Sequence, residues 1–187
     1  IKQKLSQHDL SLKHQEWLVK NFDNVEAHTL NLDKLFETFE STLSNFDSEL
    51  GMANSRARIR MSTLYQVAAA NKGIVVGTGN KVEDFGVGFY TKYGDGGVDI
   101  SPIADCNKSE VWEIGKSINI LQEIIEAAPT DGLWDDGRTD EGQLGLKYEE
   151  LEEAMNNVNS INREKYEKIR KMNLHKMEPI PVCKIPN

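Results

Sequence analysis

Residues 54–79 read NSRARIRMSTLYQVAAANKGIVVGTG, and the class of fold follows from them. Apolar residues recur at the i, i+3, i+4, i+7 spacing of one helix face, at Met61, Leu64, Tyr65 and Ala68. Asn54 or Ser55 is the predicted N-cap of this helix, and Gly73 is its predicted end. The apolar run at 74–76 follows at once, which favours a buried parallel strand. A helix, a strand and a glycine loop in this order predict a βαβ unit of an open α/β sheet.

The flanking sequence predicts further elements on either side of that unit. Upstream, the predicted elements are a helix over 9–22, a strand over 25–30, a helix over 32–43 and a loop over 45–54. Downstream, they are an irregular glycine-rich loop over 86–99, helices that begin at Asn107 and Tyr148, and an extended tail over 174–187. The predicted fold is therefore α/β, an open, mostly parallel twisted sheet flanked by helices, in a single domain over residues 1–187.

Composition and charge exclude several classes of protein. Apolar residues make up 39% and charged residues 28% of the chain, as in an ordinary soluble domain. Asp and Glu total 30 against 22 for Lys and Arg, so the net charge of −8 disfavours nucleic acid as a partner. No apolar run is long enough to predict a membrane span, and the first four residues, IKQK, resemble neither a signal nor a transit peptide. Two cysteines without close spacing fit a reducing compartment, so a cytoplasmic location is expected.

The loop after the predicted strand carries the first candidate binding residues. Gly77-Thr78-Gly79-Asn80 lies where open α/β sheets bind ligands, and the Thr78 hydroxyl is a candidate contact to a nucleotide. The same four residues are equally consistent with a tight turn. Glu83 follows shortly afterwards, and Mg²⁺ beside phosphates takes one or two carboxylate ligands. For Glu83 alone, a solvated surface side chain is the simpler interpretation.

The loop over residues 91–99, TKYGDGGVD, is more distinctive. It combines one cation, flexible backbone and two acids. Such a loop fits a polar ligand: Lys92 could bind its carboxylate or phosphate, and Asp99 its hydroxyl groups or an amide. A solvent-facing hairpin explains the glycines, but it does not explain the aromatic pair Phe89-Tyr90 that leads into them.

Cations on two predicted helices are further candidates. Lys108 lies in the first turn of its helix, and a helix N-terminus with a lysine predicts an anion site; an exposed lysine is the alternative. Arg58 and Arg60 fit either a salt-bridged helix face or bidentate binding of phosphate.

A candidate lid follows the apolar helix that ends before Pro129. Pro129-Thr130-Asp131 resembles a hinge, and the segment over 131–142 has few apolar anchors, so we expect it to be mobile. The segment carries four carboxylates, at Asp135, Asp136, Asp140 and Glu141. They fit a solvated loop better than a metal site, because their spacing matches no Ca²⁺ loop.

Several of these segments resemble the NAD synthetase family in their order and spacing. They are residues 54–61, 76–80 and 89–99, Pro129-Thr130, Asp140-Glu141 with Leu144-Gly145, and His175-Lys176. The similarity runs from about residue 45 to residue 177, and FYTKYGDGGVD is its most specific block. The resemblance implies a Rossmann-like fold of the ATP pyrophosphatase type.

The resemblance also implies a role for individual residues. The positions implied to hold deamido-NAD are Arg58, Lys92, Asp99, His175 and Lys176. The positions implied to contact ATP are Thr78, Lys108 and Thr130. Glu83 matches the family's Mg²⁺ carboxylate, and Asp95 lies where an acid near the reacting amide would orient ammonia.

The implied activity is that of a ligase in NAD biosynthesis. The nicotinate carboxylate of deamido-NAD is adenylated by ATP, pyrophosphate leaves, and ammonia then displaces AMP to give NAD. Mg²⁺ is the implied cofactor and ATP the co-substrate, and a homodimer with the dinucleotide site at its interface is expected. Free ammonia is the expected nitrogen donor, because the sequence contains no recognisable glutaminase domain.

One family motif does not occur in the sequence, the Ser-Gly-Gly-x-Asp-Ser phosphate loop that follows the family's first strand. Residues 1–187 are therefore expected to be a single NAD synthetase domain that lacks the N-terminal strand and this loop. Two alternatives stay open: a non-catalytic nucleotide-binding relative that lost the loop, and another ATP pyrophosphatase of the same fold. The FYTKYGDGGVD block together with His175-Lys176 disfavours the second of these.

Overall fold

The computed structural model describes residues 5–134 and 136–185, and helices dominate them. The α-helices are α1 (Leu5–Asn21), α2 (Asp33–Thr42), α3 (Glu49–Ala70), α4 (Lys108–Ser117), α5 (Gln122–Ile125), α6 (Asp140–Leu144), α7 (Tyr148–Asn156) and α8 (Arg163–Met177). A 3₁₀ turn covers Ser44–Phe46, and a π-helical turn covers Val82–Val87. Among these described helices, none is both long and apolar enough to cross a lipid bilayer.

Helix α3 begins earlier than its sequence pattern predicts. Ser48 is its N-cap, and the Ser48 side chain accepts a hydrogen bond from the N–H of Gly51 at 3.3 Å. The prediction of an N-cap at Asn54 or Ser55, and of a loop through residue 54, is therefore wrong. Asn54 instead lies inside the helix, where its Oδ1 accepts a hydrogen bond from the Thr91 hydroxyl at 2.7 Å. The polar side chain that suggested a cap is used for a tertiary contact with the glycine-rich loop.

The Ser48 cap gives a first testable prediction. Replacing Ser48 with Ala should lower the free energy of unfolding by about 1 kcal/mol, because an N–H at the start of α3 loses its acceptor. Ser62→Ala is the matched control, since Ser62 is an exposed residue in the interior of the same helix. Urea denaturation of both variants measures the difference. Equal stability of the two variants would show that the cap contributes nothing.

The predicted sheet is reduced to one parallel bridge in the described part of the chain. Val76 pairs with Ile100, and the N–H of Gly77 donates to the carbonyl of Ile100 at 2.7 Å. Only Val75 of the apolar run is buried, at 7% exposure, whereas Ile74 and Val76 are 60% and 53% exposed. The bridge is parallel as expected, but the expectation that the whole run is buried is wrong for Ile74 and Val76. Residues 25–30, the other predicted strand, form no β-ladder with any described residue.

Two further expectations concern segments that border the candidate site. The sequence predicts an irregular glycine-rich loop from residue 86, but the first residues of that region complete the π-helical turn at 82–87. It also predicts an extended tail from residue 174, but α8 continues to Met177. Residues 178–185 have no regular secondary structure, and residues 186–187 lie outside the described part.

A buried core holds the π-helical turn against α7 and α8. Val82 and Val87 from the turn and Leu151 from α7 are completely buried, and Tyr148 and Tyr166 pack with them. Burial of each large apolar side chain contributes roughly 1.5–3 kcal/mol of hydrophobic stabilisation. This core fixes the turn on which Glu83 is carried.

Candidate functional site

Asn80 determines where the Glu83 backbone lies. Its side chain is 1% exposed, and its Oδ1 accepts hydrogen bonds from the N–H groups of Val82 at 3.0 Å and of Glu83 at 3.1 Å. The N–H of Asp84 donates to the Asn80 carbonyl at 2.9 Å. Sequence reasoning gave Asn80 no role of its own. An asparagine two and three residues before the N–H groups that it binds is the usual signal for such a local cap.

The Glu83 carboxylate is the centre of a small polar network. Its Oε1 accepts a hydrogen bond from Lys108 Nζ at 3.1 Å and one from the Tyr148 hydroxyl at 2.5 Å. The Tyr148 oxygen also lies 3.2 Å from Oδ2 of Asp140. Burial, together with the two neighbouring carboxylates, raises the pKa of Tyr148 above its ordinary value. Tyr148 therefore stays protonated and serves as a donor.

Asp140 is buried at 6% exposure, so its prediction as part of a solvated acidic loop is wrong. Burial raises the pKa of Asp140 to about 6, and the negative charge of Glu83 contributes to the shift. Oδ1 of Asp140 has no hydrogen-bond partner among the described residues. Asp136 fits the prediction better, because it is exposed and binds Arg138. Asp135 lies outside the described residues.

Two N–H groups at the N-terminus of α4 are already bound by carboxylates in this structure. The Glu152 carboxylate accepts hydrogen bonds from the N–H of Ser109 at 3.0 Å and from its hydroxyl at 2.7 Å. Glu110 accepts one from the N–H of Asn107 at 2.7 Å. The cation Lys108 is partly buried beside Glu83 rather than exposed. The anion-binding capacity predicted for this helix start therefore cannot use the N–H of Ser109, and the Lys108 side chain is its candidate cation.

A second cluster of predicted residues lies where α8 meets the glycine-rich loop. Lys92 Nζ donates to the carbonyl of His175 at 2.5 Å, and Arg58 Nε donates to the carbonyl of Lys92 at 3.2 Å. Lys176 Nζ donates to the carbonyls of Gly88 at 2.9 Å and Tyr90 at 2.8 Å. The structure thus brings four of the predicted residues together, although the contact of His175 is through its backbone and its side chain is exposed.

Asp84 interacts electrostatically with Glu83 of the first cluster, and Asp95 with Lys176 of the second. Desolvation raises the pKa of Asp95, while hydrogen bonds from the backbone and the charge of Lys176 oppose the rise. Burial raises the pKa of Asp84 to about 6, and both Glu83 and Asp95 add to the shift. The negative charges of Glu83 and Asp95 therefore both act on the Asp84 carboxyl group. Sequence reasoning did not identify Asp84.

Thr78 and Asp99 lie on either side of the parallel bridge. Thr78 is exposed, and its neighbour Gly79 packs so closely against Asp84 that a Cβ at Gly79 would lie 2.3 Å from the Asp84 carboxylate oxygens. Oδ2 of Asp99 accepts a hydrogen bond from the N–H of Val75 at 2.7 Å. In this structure Asp99 therefore has a structural contact, in addition to any contact with a ligand.

The segment predicted as a mobile lid is held by two arginines of α3. Arg56 Nη1 donates to the carbonyl of Leu133 at 2.7 Å, and Arg60 Nη2 donates to the carbonyl of Gly132 at 3.2 Å. Thr130 Oγ1 accepts a hydrogen bond from the N–H of Gly132 at 3.3 Å. Arg60 thus binds the lid segment and forms no salt bridge with a described carboxylate, and desolvation lowers its pKa. Arg56, which sequence reasoning missed, is itself buried.

A cavity of about 710 Å³ lies elsewhere, between α1, the extended residues 28–32 with the start of α2, and α3. Arg60 is the candidate site residue that also lines this cavity. The polar side chains around Glu83 and Lys92 do not line it, so the cavity does not identify the candidate site. The hydrogen-bond network and the charges identify the site instead.

The donor set near Glu83 fits a metal ion that is bound mainly by a ligand. No group of three or more His, Cys, Asp or Glu side chains with metal-binding geometry occurs among residues 5–134 and 136–185. Mg²⁺ commonly takes one or two carboxylates from the protein and the remaining oxygens from phosphates and water. A single carboxylate beside a lysine fits that mode and does not fit a site made of protein ligands alone.

A carboxylate, a lysine and a glycine-rich loop in this arrangement are typical of proteins that bind a nucleotide together with a divalent cation. Comparison with known proteins identifies the family. The profile of the NAD synthase family matches residues 3–185, so this chain belongs to the NAD synthase family.

Proteins described as NH(3)-dependent NAD(+) synthetase are similar to this chain, and two of them illustrate the extent of the similarity. The protein from Carboxydothermus hydrogenoformans is 40% identical over 139 residues, which are 72% of this chain and 56% of the relative. The protein from Alkaliphilus metalliredigens is 38% identical over 171 residues, 84% of this chain and 68% of the relative. The chain spans only about half the length of several of these relatives.

Two solved structures have a similar fold. The NMN synthetase from Francisella tularensis superposes with a TM-score of 0.86 and 30% identity, covering 99% of this chain and 74% of that protein. The NH3-dependent NAD synthetase from Campylobacter jejuni, solved in complex with the nitrate ion, superposes with a TM-score of 0.73 and 24% identity, covering 98% and 74%. The described residues therefore have the fold of these synthetases.

Proposed function

We propose that this chain carries the substrate-binding part of a ligase that converts deamido-NAD into NAD with ATP and ammonia. The observation that carries the proposal is the pair of adjoining clusters, Glu83 with Lys108 and Lys92 with Lys176, in a member of the NAD synthase family. One cluster offers a carboxylate and a cation, as the triphosphate of ATP requires. The other offers cations around a flexible loop, as a dinucleotide requires.

At the ATP end, the residues proposed to act are Thr78, Lys108, Thr130 and Glu83. The oxygen of the nicotinate carboxylate attacks the α-phosphorus of ATP, and the bond to pyrophosphate breaks. Such a transfer depends on positioning and on stabilisation of charge on the phosphate oxygens. Lys108 stabilises that charge directly once its ammonium group turns from Glu83 to the phosphates. Mg²⁺ bound at Glu83 would neutralise part of the negative charge of the pyrophosphate.

At the dinucleotide end, the residues proposed to bind deamido-NAD are Arg58, Lys92, Asp99, His175 and Lys176. Lys92 and Lys176 donate to backbone carbonyls in this structure, and each ammonium group has three donors, so a phosphate or carboxylate can be added to the existing contacts. Arg58 is exposed beside them and has donors left over from its contact with Lys92. Together they provide the positive charge that a pyrophosphate bridge needs.

For the second step, Asp95 is proposed to hold ammonia. A carboxylate that is partly desolvated attracts an ammonium ion and accepts a hydrogen bond from ammonia. The ammonia nitrogen attacks the carbonyl carbon of the mixed anhydride, AMP leaves with the bridging oxygen, and one proton is released. The segment at 130–139, held by Arg56 and Arg60, is proposed to exclude water that would hydrolyse the anhydride.

The finer features of the architecture are part of the same proposal. The bridge between Val76 and Ile100 supports an open, mostly parallel sheet of the ATP pyrophosphatase type, to which the extended residues 25–30 would contribute. We also propose that residues 1–187 form one domain, that the protein works as a homodimer and that it acts in the cytoplasm. Exposed apolar residues of α3, Leu64 and Tyr65, fit a subunit interface. The net charge of −8 supports the absence of nucleic acid from its partners.

A second candidate is the amidation of the corresponding mononucleotide, to give NMN. The observation that favours it is the high similarity to the F. tularensis NMN synthetase, at a TM-score of 0.86 over 99% of the chain. The chemistry at the carboxylate is the same in both reactions. The two candidates differ only in whether an AMP half of the acid substrate is recognised.

One assay separates these functions. The full-length protein that contains residues 1–187 is incubated with ATP, Mg²⁺, ammonium and either deamido-NAD or its mononucleotide, and the amide product and AMP are quantified. We expect NAD and AMP in equal amounts, and a higher kcat/KM for deamido-NAD than for the mononucleotide. A preference for the mononucleotide would favour the second candidate. Binding of deamido-NAD by calorimetry without any product would favour a non-catalytic relative.

A further inference from the structure

We infer that Tyr148, supported by Asp140, is a positioning residue for Glu83 and connects the ATP side of the site with the base of the lid segment. This inference rests on the proposed function, because it assigns Tyr148 a task only if Glu83 serves the metal and nucleotide. Neither Tyr148 nor its hydroxyl was implied by the sequence motifs, in which this tyrosine is simply the start of a helix.

The phenol of Tyr148 is held rigidly. The side chain is 1% exposed and belongs to the buried core. Its ring meets the Trp112 ring edge to face, with centroids 6.2 Å apart. The backbone N–H of Tyr148 donates to the Glu141 carboxylate at 3.1 Å. A hydroxyl on a ring fixed in this way cannot follow Glu83, so Glu83 must take the position that the hydroxyl defines.

The hydrogen bonds to Glu83 use only one of its two oxygens. Tyr148 and Lys108 both donate to Oε1, at 2.5 Å and 3.1 Å. No hydrogen bond joins Oε2 to any other described residue. The tyrosine thus orients the carboxylate so that one oxygen is bound by the protein and the other is available to a ligand. Since Lys108 is expected to leave Glu83 when phosphates bind, Tyr148 is the donor that stays.

The Tyr148 hydroxyl also contacts Asp140. The phenol has one proton and lies between two carboxyl groups. It donates to Glu83 at 2.5 Å, and Oδ2 of Asp140 is a second acceptor for it at 3.2 Å. The hydroxyl therefore links Glu83 to Asp140, and Asp140 helps to fix where the hydroxyl lies.

The same Asp140 closes the base of the lid segment. Its N–H donates to the carbonyl of Pro129 at 3.0 Å, which joins the two ends of residues 130–139. Thr139, the preceding residue, caps α6 by accepting a hydrogen bond from the N–H of Gly142 at 3.1 Å. Displacement of the lid ends therefore disturbs Asp140, and through Tyr148 the position of Glu83.

Tyr148→Phe tests the inference, and Tyr166→Phe is the matched control. Tyr166 is equally buried in the same core, at 3% exposure, but its hydroxyl donates to a backbone carbonyl, that of Gly86, at 3.3 Å. Each substitution keeps the ring and removes one hydroxyl. The measurement is the affinity for Mn²⁺ with α,β-methylene-ATP, followed by electron paramagnetic resonance of Mn²⁺ in the full-length protein. Urea denaturation is measured in parallel.

We expect Tyr148→Phe to weaken Mn²⁺–nucleotide binding by about ten- to a hundredfold, of the order produced by the loss of one hydrogen bond to a charged group. Tyr166→Phe should change it by less than about twofold, although both variants lose stability of the order of one buried hydrogen bond. Equal binding by wild type and Tyr148→Phe would overturn the inference. Absence of binding by the wild type would instead refute the proposed function.

Asp140→Asn provides a second variant that does not depend on the stability of Tyr148→Phe. Asn keeps an amide oxygen that can accept from the Tyr148 hydroxyl and removes the negative charge, so Mn²⁺–nucleotide affinity should stay within about twofold of the wild type. Asp140→Ala removes the contact with the hydroxyl and should weaken binding in the same direction as Tyr148→Phe. A large loss with Asp140→Asn would show that Asp140 acts through its negative charge, which contradicts a positioning role.

Discussion

Lys108→Ala is expected to slow ATP-dependent release of pyrophosphate by about 10²–10³-fold, the loss seen when one preorganised donor to a developing charge is removed. Lys108 Nζ lies 3.1 Å from Glu83 at the start of α4, partly buried and above the Tyr148 ring at 5.0 Å from its centroid. Without it, the phosphates would face Glu83 with no cation from this helix. The effect should be mainly on kcat, because the charge grows most during the transfer. Single-turnover measurement with deamido-NAD and ATP records the rate.

Lys116→Ala is the matched control for Lys108→Ala. It removes a lysine from the last turn of the same helix, where the side chain is exposed. Its pyrophosphate release should stay within about twofold of the wild type, since the change to the helix is worth only a few tenths of a kcal/mol. If Lys108→Ala released pyrophosphate as fast as Lys116→Ala, the assignment of Lys108 to the ATP site would be wrong.

Gly88→Ala is expected to lower the free energy of unfolding by about 3 kcal/mol or more, the sum of left-handed strain and overpacking. Gly88 ends the π-helical turn with φ of +66°, where a side chain is strained. A Cβ there would also lie 2.7 Å from Cβ of Asn173 on α8, so the helix would have to move. Because Asn173 and Lys176 both bind carbonyls of this turn and loop, that movement would affect the site as well. Urea denaturation gives the loss of stability.

Gly145→Ala separates the two causes in the Gly88 prediction. Gly145 has nearly the same backbone angle, φ of +68°, but the atom nearest to a Cβ added at Gly145 would be the flexible end of Lys165, at 2.9 Å. Its substitution should therefore cost only the strain, about 1–2 kcal/mol. Equal losses for both variants would mean that Asn173 and α8 yield without cost, and that α8 does not fix the π-helical turn.

The helices are predictable from sequence wherever their patterns are local. The patterns predict helices over residues 9–22 and 32–43, and α1 and α2 cover nearly the same ranges. The start of α3 is missed because Asn54 has the chemistry of a cap and is used for a contact with Thr91 instead. That choice depends on a loop distant in sequence, which no local pattern reports.

The sheet and the buried polar residues are harder to predict for a physical reason. An apolar run such as 74–76 predicts burial, but burial on two faces requires neighbours on both, and Ile74 and Val76 are exposed in the described chain. In the sequence, Asp140 resembles an ordinary loop carboxylate. Its contact with Tyr148 is visible only in the folded structure. The family resemblance implies roles for Glu83 and Lys108, whereas the residues that hold them become visible only through three-dimensional contacts.

The central claim is that the site activates the nicotinate carboxylate by adenylation. Deamido-NAD with ¹⁸O in both carboxylate oxygens tests it most directly, by mass spectrometry of the products after turnover with ATP, Mg²⁺ and ammonium. The carboxylate oxygen that attacks the α-phosphorus leaves with AMP, so the account predicts one ¹⁸O atom in AMP, one in the amide and none in pyrophosphate. AMP without the label, or label in pyrophosphate, would contradict it.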